Sequence, residues 1–284
     1  MELSYYPGCS LEASAKEYNQ SAQAVCQALG IKLRELKDWV CCGATSAHST
    51  NPLLAQALPS QNLALAQEAG LDLAIPCAAC YNRLKRADHA LRYNEIKRKQ
   101  TEAIVDFKYT GQVRVMSLLE AIIKSSGIDN VAKKVTSPLN GLKVACYYGC
   151  LLLRPTEITC FDNPENPVLF DQLMKPLGTE PVKWSYKTEC CGANLGLTAS
   201  ETVKGMVTRI LDMADEAGAQ AIVTACPLCQ TNLEIRRKSL NEGMPVFYFT
   251  ELIGMAMGLP DSKNWLVKHL IDPAPLLRSM SIAC

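Results

Sequence analysis

The chain has 284 residues, with 29 Lys and Arg against 28 Asp and Glu, a net charge of +1, and 48% hydrophobic residues. So balanced a charge gives no electrostatic reason to expect nucleic acid or an anionic membrane surface as a partner, and the apolar content is that of a globular protein long enough for two domains. No run of about 18 apolar residues occurs, so no spanning helix is expected, and Met1-Glu2-Leu3-Ser4 does not read as a secretory leader, so the expected location is the cytoplasm.

Residues 2–8 read as a short strand ending at Pro7-Gly8-Cys9. From about Ala13 to Leu29 the composition is helical, with Val25 and Leu29 on one face and Gly30 as the stop. Cys26 on this helix reads as a small buried apolar residue. Ile31 to Val40 reads as a second strand leading into Cys41-Cys42-Gly43-Ala44. Asn51-Pro52 opens a helix with proline in its first turn, and Gly70 ends it. Leu71–Ile75 is short and nearly all apolar, as expected of a strand covered on both faces. Cys77 and Cys80 follow, and a helix is expected from there through Arg83, Lys85 and Arg86 toward about Lys99. Val113–Met116 reads as a fourth strand, with Ser117 as the N-cap of the next helix and Glu120 as its capping-box partner.

Residues 125–140 read as a linker. Leu142–Tyr147 then forms a strand before Cys150, and residues 154–167 form a loop rich in proline that could shape access to a neighbouring site. Cys146, inside this strand, reads as core. Lys183-Trp184-Ser185 leads to Cys190-Cys191, Glu201–Ala217 is a helix, and Gln220–Ala225 is the strand before Cys226. Val246–Phe249 leads into Thr250-Glu251-Leu252. After Gly258, helical pieces near Trp265–Leu277 carry Trp265, Leu266, Leu270 and Ile271, either ordinary core or a face that touches a membrane. Strand, turn and helix alternate throughout. The expectation is two similar α/β halves with mainly parallel sheets, produced by an internal duplication and divided as residues 1–135 and 136–284.

Fourteen cysteines in one such chain point to metal or redox chemistry rather than to structural disulfides. Ten of them repeat: the doublets Cys41-Cys42 and Cys190-Cys191, and the pairs Cys77/Cys80 and Cys226/Cys229, share an offset of 149 residues. Cys9 and Cys150 precede them in Tyr-rich turns, and Gly-Ala follows each doublet. All sit where strands give way to turns, the carboxyl edge at which open α/β sheets bind ligands. Structural zinc needs four ligands, one fewer than each half supplies. A redox pair of the thioredoxin kind explains two cysteines per half and leaves three. An iron–sulfur cluster suits thiolates, although an ordinary cubane takes four, and spacing alone does not choose a cluster geometry.

The arrangement C-x31-CCGA-x32-C-x2-C followed by C-x39-CCGA-x32-C-x2-C, with Tyr-Tyr-Pro-Gly-Cys at its start, resembles the B-type subunit of CoB–CoM heterodisulfide reductase over nearly the whole chain. The resemblance implies one non-cubane [4Fe-4S] cluster per half. Cys9, Cys41, Cys42, Cys77 and Cys80 would hold the first, and Cys150, Cys190, Cys191, Cys226 and Cys229 the second. It further implies an oxidoreductase component that cleaves or forms a disulfide at these two clusters. Electrons would come from a dicluster ferredoxin-like subunit of the C type, fed by a flavin subunit of the A type. The chain itself has no Gly-rich dinucleotide fingerprint and no C-x2-C-x2-C run, so it would depend on such partners and through them could associate with a membrane. Related subunits in succinate dehydrogenases, fumarate reductases and other quinone-linked complexes imply the alternative, an electron-transfer or anchor subunit. His48, which has Leu197 as its counterpart, is a candidate proton donor to a leaving thiolate. Lys16, Arg83, Lys85, Arg86 and Arg154 are candidate partners for an anionic substrate. Cys160 and Cys284 have no assigned role.

Overall fold

The computed structural model describes residues 1–44, 47–237 and 243–282; the side chain of His48, and Cys284, lie outside the described residues. Among the described residues eight strands form two sheets. The first contains β1 (Glu2–Tyr5), β2 (Lys32–Glu35), β3 (Leu73–Ile75) and β4 (Val115–Ser117), and the second contains β5 (Lys143–Tyr147), β6 (Glu180–Pro181), β7 (Ala221–Thr224) and β8 (Val246–Tyr248). Their orders are β2-β1-β3-β4 and β6-β5-β7-β8, the same topology twice. Every pairing is parallel. The expected pair of parallel α/β halves is therefore what the chain builds.

The sequence explains these elements locally. β3 and β7 are buried along their whole length because helices cover both faces of each sheet. β2 is an edge strand, and Lys32 and Arg34 on it pair with Glu2, which keeps that edge charged. The helix Pro52–Ala69 starts on Asn51, whose Oδ1 accepts from Leu53 N at 2.8 Å and Leu54 N at 3.1 Å, and stops at Gly70 in the left-handed region. Ser117 Oγ accepts from Glu120 N at 3.1 Å and so caps the helix Leu118–Ser126.

Several boundaries differ from those expected. The first strand stops at Tyr5, and a separate turn of helix, Gly8–Ala13, carries Cys9. The second strand stops at Glu35, because the chain turns at Asp38 with a positive φ. The helix after Cys77 covers Ala78–Tyr93 and breaks at Asn94, whose extended backbone and side chain start a new helix, Glu95–Val105, through a bond from Lys97 N. The linker is not loose: it contains the helix Ile128–Lys133, and Thr136 N and Ser137 N both donate to Ala256 O at 2.9 Å. The tail forms two short helices, Ser262–Leu266 and Ala274–Ser279. Trp265, Leu266 and Ile271 are buried in the core; of the four apolar residues named there, Leu270 alone is exposed, so they do not form a membrane-facing stripe. Among the described residues no helix is long and apolar enough to cross a membrane.

One core joins the two halves. Tyr18 stacks flat on Tyr248, with ring centroids 4.1 Å apart, and Ser21 Oγ lies 2.7 Å from Thr250 Oγ1. Phe249 packs edge-on against Tyr18 and against Phe170. The proline-rich loop of the second half lies on the first half's helix Ala78–Tyr93: Tyr81 Oη donates to Thr159 O, and Asn82 Nδ2 donates to Leu151 O and Arg154 O.

Candidate functional site

In each sheet the strand order reverses direction between the first and third strands, and this switch point is where open α/β sheets form a crevice. Cys9 follows β1 and Cys77 follows β3, and Cys150 and Cys226 follow β5 and β7 in the same way. Cys77 is the N-cap of the helix Ala78–Tyr93, with Cys80 in its first turn; Cys226 and Cys229 stand likewise on the helix Pro227–Ile235. Each Cys-x-x-Cys thus occupies a helix N-terminus, where free N–H groups and the helix dipole favour thiolate.

The doublets come from the loops after β2 and β6, and tyrosines hold those loops in place. Tyr6 Oη donates to Val40 O at 2.9 Å, one residue before Cys41. Its counterpart Tyr147 donates to Glu189 O at 2.6 Å, one residue before Cys190. In the sequence these tyrosines read only as markers of a turn; their recurrence ahead of both first cysteines is the signal that could have revealed the role. Asn62 holds Val40 at both its N–H and its carbonyl. Asn232 donates to Cys191 O.

The five cysteines of each half come together. In the first, Cys42 Sγ lies 3.3 Å from Cys80 Sγ, the Cys41 thiol neighbours that of Cys42, and the Cys77 thiol that of Cys80. In the second, Cys191 Sγ lies 3.6 Å from Cys229 Sγ, the Cys150 thiol neighbours that of Cys190, and the Cys226 thiol that of Cys229. Cys9 completes the first set beside Cys41. The two sets also touch each other, because the thiols of Cys77 and Cys226 are within hydrogen-bonding contact. Gly43 N donates to Cys41 Sγ at 3.4 Å and Gly192 N to Cys190 Sγ at 3.3 Å.

These contacts decide which sulfurs carry charge. Hydrogen bonds from Cys41 and then Cys80 bring Cys42 down to about 3 against its burial, with help from Ala44 N–H and the Arg83 charge. The bond from Cys150 brings Cys190 down to about 6. Bonds from Cys229 and Cys77 hold Cys226 well below the usual thiol range. These lowered thiols are the ones poised to ionise, and thiolate is the form that ligates metal. The donors are wholly sulfur, which suits iron–sulfur chemistry. Among the described residues no three His, Cys, Asp or Glu side chains are grouped as one metal ion would require.

The second site opens on a cavity of about 470 Å³ lined by Cys150, Cys190, Cys191, Cys226 and Cys229, with Ala78 and Ala79 of the first half as part of its wall. The remaining described cysteines do not line it. Cys26 and Cys146 are fully buried, as expected of core, and burial pushes Cys26 up to about 12. Cys160 is an exposed thiol bonded to Thr156 O. Arg154 is tied into its own loop by Glu165 Oε1, Pro164 O and Thr188 O, and Lys16 is exposed.

Two five-thiol constellations at the carboxyl edges of duplicated sheets define a duplicated cysteine-rich domain. The chain belongs to the CCG family, described as Cysteine-rich domain, whose model matches residues 3–85 and 144–234. It is similar to the 8-methylmenaquinol:fumarate reductase membrane anchor subunit of Wolinella succinogenes, 33% identical over 287 residues, which cover 97% of this chain and 99% of that one. It is also similar to the B-type subunit of the ferredoxin/F(420)H(2)-dependent CoB-CoM heterodisulfide reductase of Methanosarcina acetivorans, at 28% identity over 95% of this chain and 94% of that one. A solved structure of a hypothetical protein from Helicobacter pylori shares the fold, with a TM-score of 0.74 at 14% identity; the match covers 95% of this chain and 51% of that one, so this chain spans about half of it.

Proposed function

We propose that the protein is the catalytic subunit of a heterodisulfide-reductase-type complex and cleaves or forms a disulfide. In this reading Cys9, Cys41, Cys42, Cys77 and Cys80 hold one non-cubane [4Fe-4S] cluster, and Cys150, Cys190, Cys191, Cys226 and Cys229 hold a second. The observation that carries it is the meeting of two five-thiol sets beside a cavity walled by both halves. When bound, such clusters supply one-electron storage and iron with affinity for sulfur. The chain's own residues do the rest. Ala78, Ala79, Leu151 and Leu228 line the cavity with apolar surface that limits water. The N–H groups of Gly192, Ala78 and Cys229 favour the anionic form of Cys190 and Cys226. Electrons would enter from a dicluster ferredoxin-like subunit and a flavin subunit. The halves 1–135 and 136–284 would be two copies of one cluster-binding unit.

A second reading, a quinone-linked electron-transfer or anchor subunit, is supported by the 33% identity over nearly full length to a subunit named as a fumarate reductase membrane anchor. The test is iron and acid-labile sulfide per chain on anaerobically purified protein, with electron paramagnetic resonance after oxidation in the presence of a thiol. About eight iron atoms and a thiol-dependent signal are expected. About eight iron atoms with no response to any thiol would favour the second reading. Zinc without iron would end both.

A further inference from the structure

Beside the cysteine cavity lies a second cleft, of about 610 Å³, lined by Ala44, Ala79, Asn82, Arg83, Arg86, Leu151 and Asn194. Ala79, Leu151 and Asn194 line both, so the two adjoin between the halves.

The cleft is cationic by construction. Asn82 is buried; its amide nitrogen is committed to Leu151 O and Arg154 O, and its Oδ1 accepts from Arg86 Nε at 3.0 Å. That bond holds Arg86 at the cleft wall by its Nε and leaves the outer N–H groups of its exposed guanidinium available. Arg83 is half-buried and has no hydrogen-bond or ion-pair partner among the described residues, while its charge is felt at Cys42 on the other side. A half-buried guanidinium with a fork of unused donors is uncommon unless an anion completes it, because the Cys42 charge offsets its desolvation only in part. The second half offers no equivalent: at the 149-residue offset, Arg83 corresponds to Asn232 and Arg86 to Ile235. Asn232 is committed to Cys191 O, and Ile235 is exposed.

We propose that Arg83 and Arg86 bind the anionic end, a carboxylate, sulfonate or phosphate, of a thiol or disulfide whose sulfur lies at the cysteine cavity next door. This rests on the disulfide reading for the identity of the ligand's other end; the anion site itself does not. A neutral quinol would have no use for it.

The test uses the iron-loaded protein and two probes of equal length, 3-mercaptopropionate and 3-mercaptopropanol, measured by calorimetry. The wild type is expected to bind the carboxylate probe at least about tenfold more tightly than the alcohol, the worth of a charge-assisted bond. Compared at matched iron content, Arg83→Ala removes that preference and Arg83→Lys restores part of it. Equal affinities for the two probes in the wild type, no binding of the carboxylate, or an Arg83→Ala protein that keeps the preference would each overturn the proposal. The thiol-dependent resonance signal, recorded on the same samples, judges the disulfide reading separately: carboxylate preference without any signal would leave the anion site standing and remove the disulfide.

Discussion

Gly8 sits at φ +72°, and a Cβ there would lie 3.1 Å from Cys80 Sγ and 3.3 Å from the Tyr6 ring. Gly70 has a similar φ of +66° with open space around it. Both positions cost an L-residue about 1–2 kcal/mol of backbone strain. Gly8→Ala adds displacement of a candidate ligand and of the tyrosine that holds the doublet loop. The two variants are therefore expected to lose similar backbone stability, about 2–8 °C in Tm for a chain of this size, but only Gly8→Ala should lower iron per chain. Equal iron in both would separate Gly8 from the site. The cysteines themselves were legible in the sequence because strand-end placement is a local property, set by an apolar run and a turn. The contact of Cys77 with Cys226 was not, because it depends on how two sheets face one another. Nor was the free state of Arg83, since sequence shows a charge and not its lack of partners.

At the scale of elements, the tail is held by a buried charge cluster that no motif announces. His269 lies with Nδ1 3.3 Å from Glu234 Oε1, on the helix Pro227–Ile235, and Nε2 3.0 Å from Glu251 Oε1, on the helix Phe249–Ala256. Glu17 faces the same group from the helix Lys16–Ala28, with its own carboxyl raised by burial, and the rings of Phe247 and Tyr248 flank the imidazole. Burial opposes the imidazolium, but the Glu251 charge and the bonds to Glu234 and Glu251 outweigh it and raise His269 to about 10. A pKa raised on folding adds stability that is complete below the unfolded value of 6.5 and is lost as pH rises through about 10. His269→Gln should cost about 3–5 kcal/mol at pH 6 by leaving buried carboxylates unpaired, and the gap to wild type should narrow above pH 10. Denaturant titrations at several pH values check this; a gap independent of pH would refute it. A simpler device works at Asn51, where Asn51→Ala should cost about 1 kcal/mol by uncapping the helix Pro52–Ala69. That cap was readable from Asn-Pro, whereas the break at Asn94 was not, because the helical composition continues across it.

At the scale of the molecule, the shared core means that the halves unfold together. Tyr18→Ala removes a fully buried ring that stacks across the junction. About 3–5 kcal/mol should be lost, by analogy with other buried aromatic truncations, from a single calorimetric transition. Two resolved transitions would show that the junction is weaker than its packing suggests. The duplicated topology was visible in the 149-residue offset, but the continuity of the core was not. Tyr18 and Tyr248 lie in unrelated positions of their repeats, so no periodicity links them.

The meeting of Cys77 with Cys226 has a geometric meaning, since these are counterparts in the two repeats. Counterparts meet in this way at the centre of an isologous homodimer. The halves meet here as one protomer meets its mate, and a single such domain could have paired with itself through this patch. Joining two copies in one polypeptide releases the mates from sharing a sequence. Arg83 opposite Asn232 is a consequence: the sulfurs still meet as counterparts, but the cleft beside them has acquired a head and a tail.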